Sequence, residues 1–419
     1  MLKIPPALRY RNFSLLWVGL LVSVAGSQMQ LAALLWHMRL LSDQPLVVSG
    51  IGLVRVLPIV LLSPFAGLVA DRYNRRHIMF ITQTVTILAA ILLGVLTVMQ
   101  IIDIWQIYVL TAIQALAMVY DLPARQSLTP NLVPQDVLPN AFSLQSIAYN
   151  AGAILGPGLG GMVIGFLGME YVYFINAASV LVVLLALILM GPIPQIPVIS
   201  QGGVRSNLLS IKEGFSFIFN RPLILSSMLL DFIATFFSSA NTLLPFVARD
   251  LLHVGEIEYG WLSSAQPIGS LLVGLFFSQR EQIHKQGMLL MASVVVYGLA
   301  TILFGVSNLF LLAMLALLLM GAGDAVSTII RNTIRQLQTP DYIRGRMVSV
   351  NQIFFMGGPQ LGEIEAGLVA QLLGVPFAII SGGVGCILGV IFLFIRFPQL
   401  AHYQGNEAAP TAITIQSQG

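Results

Sequence analysis

Twelve apolar runs, each long enough to cross a bilayer as a helix, divide this sequence from near its start to near its end. They fall at about 13–38, 47–70, 78–100, 104–123, 138–167 and 169–191, then at about 222–248, 257–279, 286–306, 308–330, 345–373 and 375–395. A helix rises about 1.5 Å per residue, so about 20 apolar residues span about 30 Å of hydrocarbon. Closed barrels are the alternative in lipid, but their strands alternate apolar and polar residues, and these runs do not. The fold class predicted is an all-α membrane protein with twelve transmembrane helices. Composition agrees: 57% of residues are hydrophobic and 9% charged, whereas a soluble domain carries roughly 25% charged residues. The first run is too long for the apolar core of a cleavable signal and reads as a retained span.

The basic residues set the orientation. With the N-terminus inside, Arg39 and Arg249 fall outside, Arg55 falls within the second span, and the remaining 17 of the 20 Lys and Arg lie on the inner side. A shift by one span inverts that count. Both termini are therefore expected in the cytoplasm, and the basic net charge of +3 needs no nucleic-acid partner. Trp36, Trp105 and Trp261 fall near outer span ends, where tryptophans anchor at the interface.

The two sets of six runs repeat. A shift of 206 places Arg125 on Arg331, Pro134 on Pro340, Gly152 on Gly358, Gly156 on Gly362, Gly161 on Gly367 and Gly168 on Gly374. Six helices is an even number, so the halves share one orientation. Parallel halves related by an axis along the membrane normal place a binding site between them near the midplane. The division expected is a six-helix bundle over 1–191, a linker over 192–221, a second bundle over 222–397 and a disordered tail over 398–419. Within the linker, Leu208 to Phe219 has the spacing of an amphipathic helix.

Enzymatic chemistry finds no footing. Cys386 stands alone and the five histidines are scattered, so neither a disulfide nor a metal site is expected. No nucleophile-and-base signature or nucleotide loop is present, and no cofactor is expected.

Two motifs carry a resemblance. The loop between the second and third runs reads Gly67-Leu-Val-Ala-Asp71-Arg72-Tyr-Asn-Arg75-Arg76, and the fifth run reads Gly152-Ala-Ile-Leu-Gly156-Pro157-Gly-Leu-Gly160-Gly161. The chain resembles the major facilitator superfamily, whose loop signature is G-x-x-x-D-R-x-G-R-R and whose antiporter signature is g-x-x-x-G-P-x-x-G-G. Asn74 replaces the loop's second glycine, and Asn also tolerates a left-handed turn. The start at 8–17 and the stretch Leu122 to Pro134 are similar to the subgroup of bacterial macrolide efflux proteins and enterobactin exporters. The resemblance implies a monomeric exporter in a bacterial inner membrane, moving an amphipathic drug or siderophore in exchange for protons as the halves rock. Gly67, Asp71, Arg72, Arg75, Arg76, Asp121 and Arg125 would gate that motion, and Gly152, Gly156, Pro157, Gly160 and Gly161 would let helices approach and bend. One departure stands out: the family's fourth-span arginine falls on Thr111.

Charges inside spans point to function, because each is costly facing lipid. Asp231, Asp324, Glu363, Glu365 and Arg55 are the candidates for proton or substrate contact, with Gln28 and Asn241 as neutral companions. Glu363 and Glu365 differ by about 200° around a helix and cannot share one cavity. Asp121 reads more simply as a latch to Arg125 or Arg75. A facilitator, symporter or lipid flippase of the same fold is the alternative, and a non-transporting sensor the alternative of another class.

Overall fold

A computed structural model describes residues 5–191, 193, 213, 215–239, 241–279 and 285–405, without the side chains of 64, 67–68, 70–72, 341–342, 344–346, 348–349, 352–353 and 355–356. Six long helices form the first half: α1 (Arg11–Leu41), α2 (Pro45–Arg72), α3 (Arg75–Val98), α4 (Ile104–Leu128), α5 (Leu138–Phe166) and α6 (Met169–Leu189). The second half holds α7 (Pro222–Ser238), α8 (Glu256–Ser278), α9 (Gln286–Val306), α10 (Phe310–Gln338), α11 (Asp341–Leu373) and α12 (Val375–Arg396). Among the described residues, eleven of the spans are apolar and long enough to cross a membrane by composition; α11, whose sequence carries Asp341, Glu363, Glu365 and Pro359, is the exception. We call the side where the chain enters α1 and leaves α12 the terminal face, and the other the far face.

The packing repeats with the sequence. In the first half α1 lies against α5 and α6, α3 against α4 and α6, and α2 against α4; in the second half α7 lies against α11 and α12, α9 against α10 and α12, and α8 against α10. Adding six to each number converts one set into the other. The two main contacts that join the halves, α5 with α8 and α2 with α11, exchange under the same operation. That is the pattern of a two-fold axis along the bundle.

Glycines make these contacts possible, since helix association in lipid depends on close packing rather than apolar burial. A Cβ built on Gly156 would stand 2.6 Å from the Ala25 carbonyl of α1, and one on its repeat mate Gly362 2.1 Å from the Phe236 carbonyl of α7. Gly161 meets Gly260 of α8, and its mate Gly367 meets Ser49 of α2.

Several local expectations change. The seventh span is not one helix: α7 ends at Ser238, and the chain rewinds through tight turns at Asn241–Leu243 and Leu244–Phe246 and a wide turn at Val247–Leu251. Pro245 cannot donate to the carbonyl four residues back, and the small polar residues before it compete for backbone groups. The tail does not become disordered at Pro398. Pro398–His402 forms a short helix, with Leu400 and Tyr403 buried, and Gly287 of α9 donates to the Tyr403 carbonyl at 2.9 Å. Apolar side chains that find a packing surface hold this stretch. Of the amphipathic segment, Leu208–Lys212 and Gly214 lie outside the described residues, while Phe215, Phe217 and Ile218 pack with Met228 and Met347. Trp36 is 2% exposed and packs on Tyr259 of α8 with centroids 4.9 Å apart and rings tilted by 32°. It joins the halves instead of anchoring in lipid, whereas Trp105 and Trp261 stay exposed. Asn74 is extended, with φ −64°, and caps α3 by accepting from the Arg76 and His77 amides. A polar cap, not a left-handed turn, is its contribution.

Candidate substrate and coupling site

A cavity of about 650 Å³ lies between the halves, lined from α1, α2, α3, α4, α5, α6, α7, α8, α9, α10 and α11. That volume suits a drug-sized molecule. Its walls mix apolar residues such as Leu34, Met118, Leu317 and Met320 with Gln28, Gln30, Gln114, Asn241 and Gln266. In the first half the polar groups bind one another: Gln30 donates to Gln114 at 2.7 Å, and Asn176 donates to Gln30 at 2.6 Å. Such pairing fixes side chains that would be costly to leave unmatched away from water.

The cavity is closed on one side. Toward the far face, Arg39 of α1 pairs with Asp250 across the halves at 2.8 Å, pairs also with Asp43, and lies 4.7 Å over the Phe246 ring. Ser49 and Thr242 share a hydrogen bond of 2.9 Å, and Tyr259 donates to the Ala32 carbonyl at 2.9 Å. Nearer the middle, Ser264 donates to the Ile154 carbonyl. Toward the terminal face, apolar packing separates into a cluster of first-half residues around Phe13, Met79 and Leu187 and a cluster of second-half residues around Met228 and Met347. The arrangement is sealed at the far face.

Six charged side chains reach the cavity: Arg55, Asp121, Arg125, Asp231, Asp324 and Arg331. Asp121 pairs with Arg125, its neighbour one turn on, and accepts from Thr82 and Gln83 of α3 at 3.0 and 2.7 Å. Arg125 also donates to Tyr149 of α5 at 3.2 Å. Arg75 does not take Asp121; it donates to the Ser127 carbonyl, and Arg76 donates to the Leu187 carbonyl of α6. The side chains of Asp71 and Arg72, and the surroundings of Gly67, lie outside what is described.

The second half holds a different cluster. Asp231 of α7 is 3.0 Å from Arg331 of α10, Arg331 is 3.7 Å from Asp324, and Arg335 is 3.8 Å from Asp231. Asp231 and Arg331 are each 1% exposed. Among the described residues neither Asp231 oxygen accepts a hydrogen bond, and Nε and Nη1 of Arg331 find no acceptor. Buried charges so thinly solvated are costly and mark functional sites more often than stabilising ones.

The tenth apolar run fades near 330, which places Arg331 and Arg335 among the loop charges of the inner side. The helix in fact runs on to Gln338. The repeat held the signal: a shift of 206 lays Arg331 on Arg125, so each half carries a cavity arginine with an acid. Glu363 is buried against Gly52 of α2 and Glu365 is partly exposed, and neither lines the cavity. Gly152, Gly156 and Gly160 face α1, and Gly161 faces α8 with the Pro157 carbonyl beside Gly260.

A family model for transmembrane secretion effectors of the major facilitator type matches residues 5–413. The chain belongs to that family. Transport across a membrane is therefore its function, and it is not an enzyme. It is 27% identical over 364 residues to an uncharacterised major-facilitator-type transporter, YfiS, of Bacillus subtilis, covering 84% of each chain. It is 26% identical over 347 residues to the enterobactin exporter EntS of Escherichia coli K12, covering 83% of this chain and 82% of that one. Solved structures share the fold of this transporter at low identity. A bacterial homologue of the human lysosomal transporter Spinster, inward-facing and occupied, aligns with a TM-score of 0.74 at 14% identity over 94% of this chain and 98% of its own. The nucleoside transporter NupG aligns with a TM-score of 0.71 at 15% identity, over 94% and 99%.

Proposed function

We propose that this transporter is a proton-coupled exporter of an amphipathic small molecule, acting as a monomer in a bacterial cytoplasmic membrane with both termini inside. The positive-inside bias assigns the terminal face to the cytoplasm. The far-sealed cavity is then the inward-facing state, ready to load from the cytoplasm or the inner leaflet. The name of the enterobactin exporter and the complete antiporter signature in α5 favour export.

The observation that carries the coupling is the Asp231–Arg331–Asp324 cluster on the cavity wall, with Arg335 beside Asp231. With Asp231 ionised, Arg331 is held by α7. A proton arriving on Asp231 removes that attraction and leaves Arg331 to Asp324 within α10. The contact between α7 and α10 thereby becomes conditional on protonation, and α7 packs on α11 and α12, so the change reaches the helices that move. In exchange for substrate, the proton loads when the cavity faces outward and leaves when it faces inward. This scheme uses an acid of the second half where Thr111 replaces the family's fourth-span arginine. Gly67, Asp71, Arg72, Arg75 and Arg76 would brace the terminal face in the outward-facing state.

Proteoliposomes with an imposed proton gradient test it. Wild-type protein should drive uphill movement of a fluorescent substrate that a protonophore abolishes. Asp231→Asn should lose the driven movement at unchanged abundance. Gradient-independent movement by the wild type, or full activity of Asp231→Asn, would remove the coupling scheme.

A further inference from the structure

Three arginines line the cavity, and two of them are matched. Arg125 is held by Asp121, and Arg331 by Asp231. Arg55 differs. It sits ten residues into α2, about 15 Å along the helix from the far face, on the cavity wall. Among the described residues it closes no ion pair. Glu363 of α11 attracts it electrostatically without closing an ion pair.

The surroundings of Arg55 are specific. A Cβ built on Gly52, one turn before it on the same face of α2, would stand 2.5 Å from Glu363 Oε2 and 3.2 Å from Gln360 Oε1. Gln360 and Glu363 are themselves one turn apart on α11. Gln360 also lines the cavity, and among the described residues its buried Oε1 has no hydrogen-bond partner. A guanidinium without an ion pair and an unmatched amide therefore border one space, at one of the two places where the halves meet. A guanidinium recognises planar acids through paired donors; the Gln360 amide, whose unpartnered Oε1 loses nothing when the group turns over, can present its NH2 to the same acid by a half-turn.

We propose that Arg55 and Gln360 form the subsite for an acidic group of the transported molecule, a carboxylate, phosphate, sulfonate or ionised phenol, with Glu363 as the counter-charge that holds Arg55 when the site is empty. This rests on the transport reading above and narrows its substrate class to amphipathic anions. The apolar wall around Leu34, Met118 and Leu317 takes the remainder of the molecule. Because α2 and α11 come from opposite halves, an acid seated there bridges them.

The test compares two xanthene dyes of similar shape and opposite charge, carboxyfluorescein and rhodamine 6G, by fluorescence polarisation on purified protein in detergent. Carboxyfluorescein should bind the wild type, and Arg55→Gln should weaken it about ten-fold, the scale of a lost charge-assisted contact. Rhodamine 6G binding should hold or tighten. Arg55→Lys should recover part of the loss, and Gln360→Ala should weaken the anionic dye alone. A wild type that binds only the cationic dye would overturn the proposal, as would equal losses of both dyes in Arg55→Gln and Gln360→Ala. Should Arg55→Gln elute as aggregate, Gln360→Ala and Arg55→Lys decide alone. Arg55-dependent binding without gradient-driven export would overturn the coupling scheme and leave the anion subsite standing.

Discussion

At the scale of single residues, the second-half charge cluster dominates. Removing one member of a buried pair leaves the other charge unpaired, which costs about 3–5 kcal/mol. Arg331→Gln should therefore lower the unfolding temperature in detergent more than any substitution of the exposed Trp105. The double variant Asp231→Asn with Arg331→Gln should recover most of that stability and none of the proton-driven transport. Thermal unfolding and vesicle transport on the same three proteins read both outcomes; recovered transport in the double variant would make the pair merely structural. Residue types announced part of this site. Asp231, Asp324 and Arg55 were legible because a charge inside an apolar run is conspicuous. Arg331 and Arg335 were not, since charges at the fading end of a run look like loop residues until the helix is seen to continue. The Arg39–Asp250 pair was hidden for a related reason: both residues lie at predicted span ends, and nothing in the sequence tells which two ends will meet.

Between elements, small residues decide how closely helices pass. Gly156→Ala would push a methyl against the α1 backbone at Ala25, an atom that cannot swing aside, and overpacking of this kind costs about 1–3 kcal/mol. Gly274→Ala in α8 meets nothing within 4 Å and should cost nothing by crowding. Unfolding of the two variants side by side checks the distinction; equal loss would mean that α1 and α5 do not pack as described. The glycine register was readable from the 206-residue repeat, which already paired Gly156 with Gly362. The break after Ser238 was not, because a continuous apolar run conceals a turn that depends on Pro245 and on the small polar residues before it. The far face is locked by a contact between elements. Arg39→Gln removes the ion pairs to Asp250 and Asp43 and the contact with Phe246, so it should shift the population toward far-open molecules. Spin labels at Trp105→Cys and Leu309→Cys, both exposed beside the far face, should then report a longer mean distance in that variant. An unchanged distance would assign Arg39 to packing alone.

For the whole molecule, the exchange of α5–α8 with α2–α11 under the repeat relates the two halves by one axis about a shared cavity. The same axis explains how a duplicated six-helix unit yields one site, since both halves contribute lining residues. Twelve spans and a parallel repeat were legible from apolar run lengths and the shift of 206. Which face the cavity is sealed on was not, because sequence alone does not distinguish two states that share every helix. The two halves are expected to alternate about this cavity. Double electron–electron resonance tests it most directly, and the lone native cysteine, Cys386, is buried, which favours selective labelling at introduced sites. One labelled pair would sit at the far face, at Trp105→Cys and Leu309→Cys, and the other at the terminal face, at Tyr73→Cys and Leu337→Cys. Lowering pH or adding carboxyfluorescein should lengthen one distance while shortening the other. Distances that stay fixed in both pairs, or that change in the same direction, would contradict it.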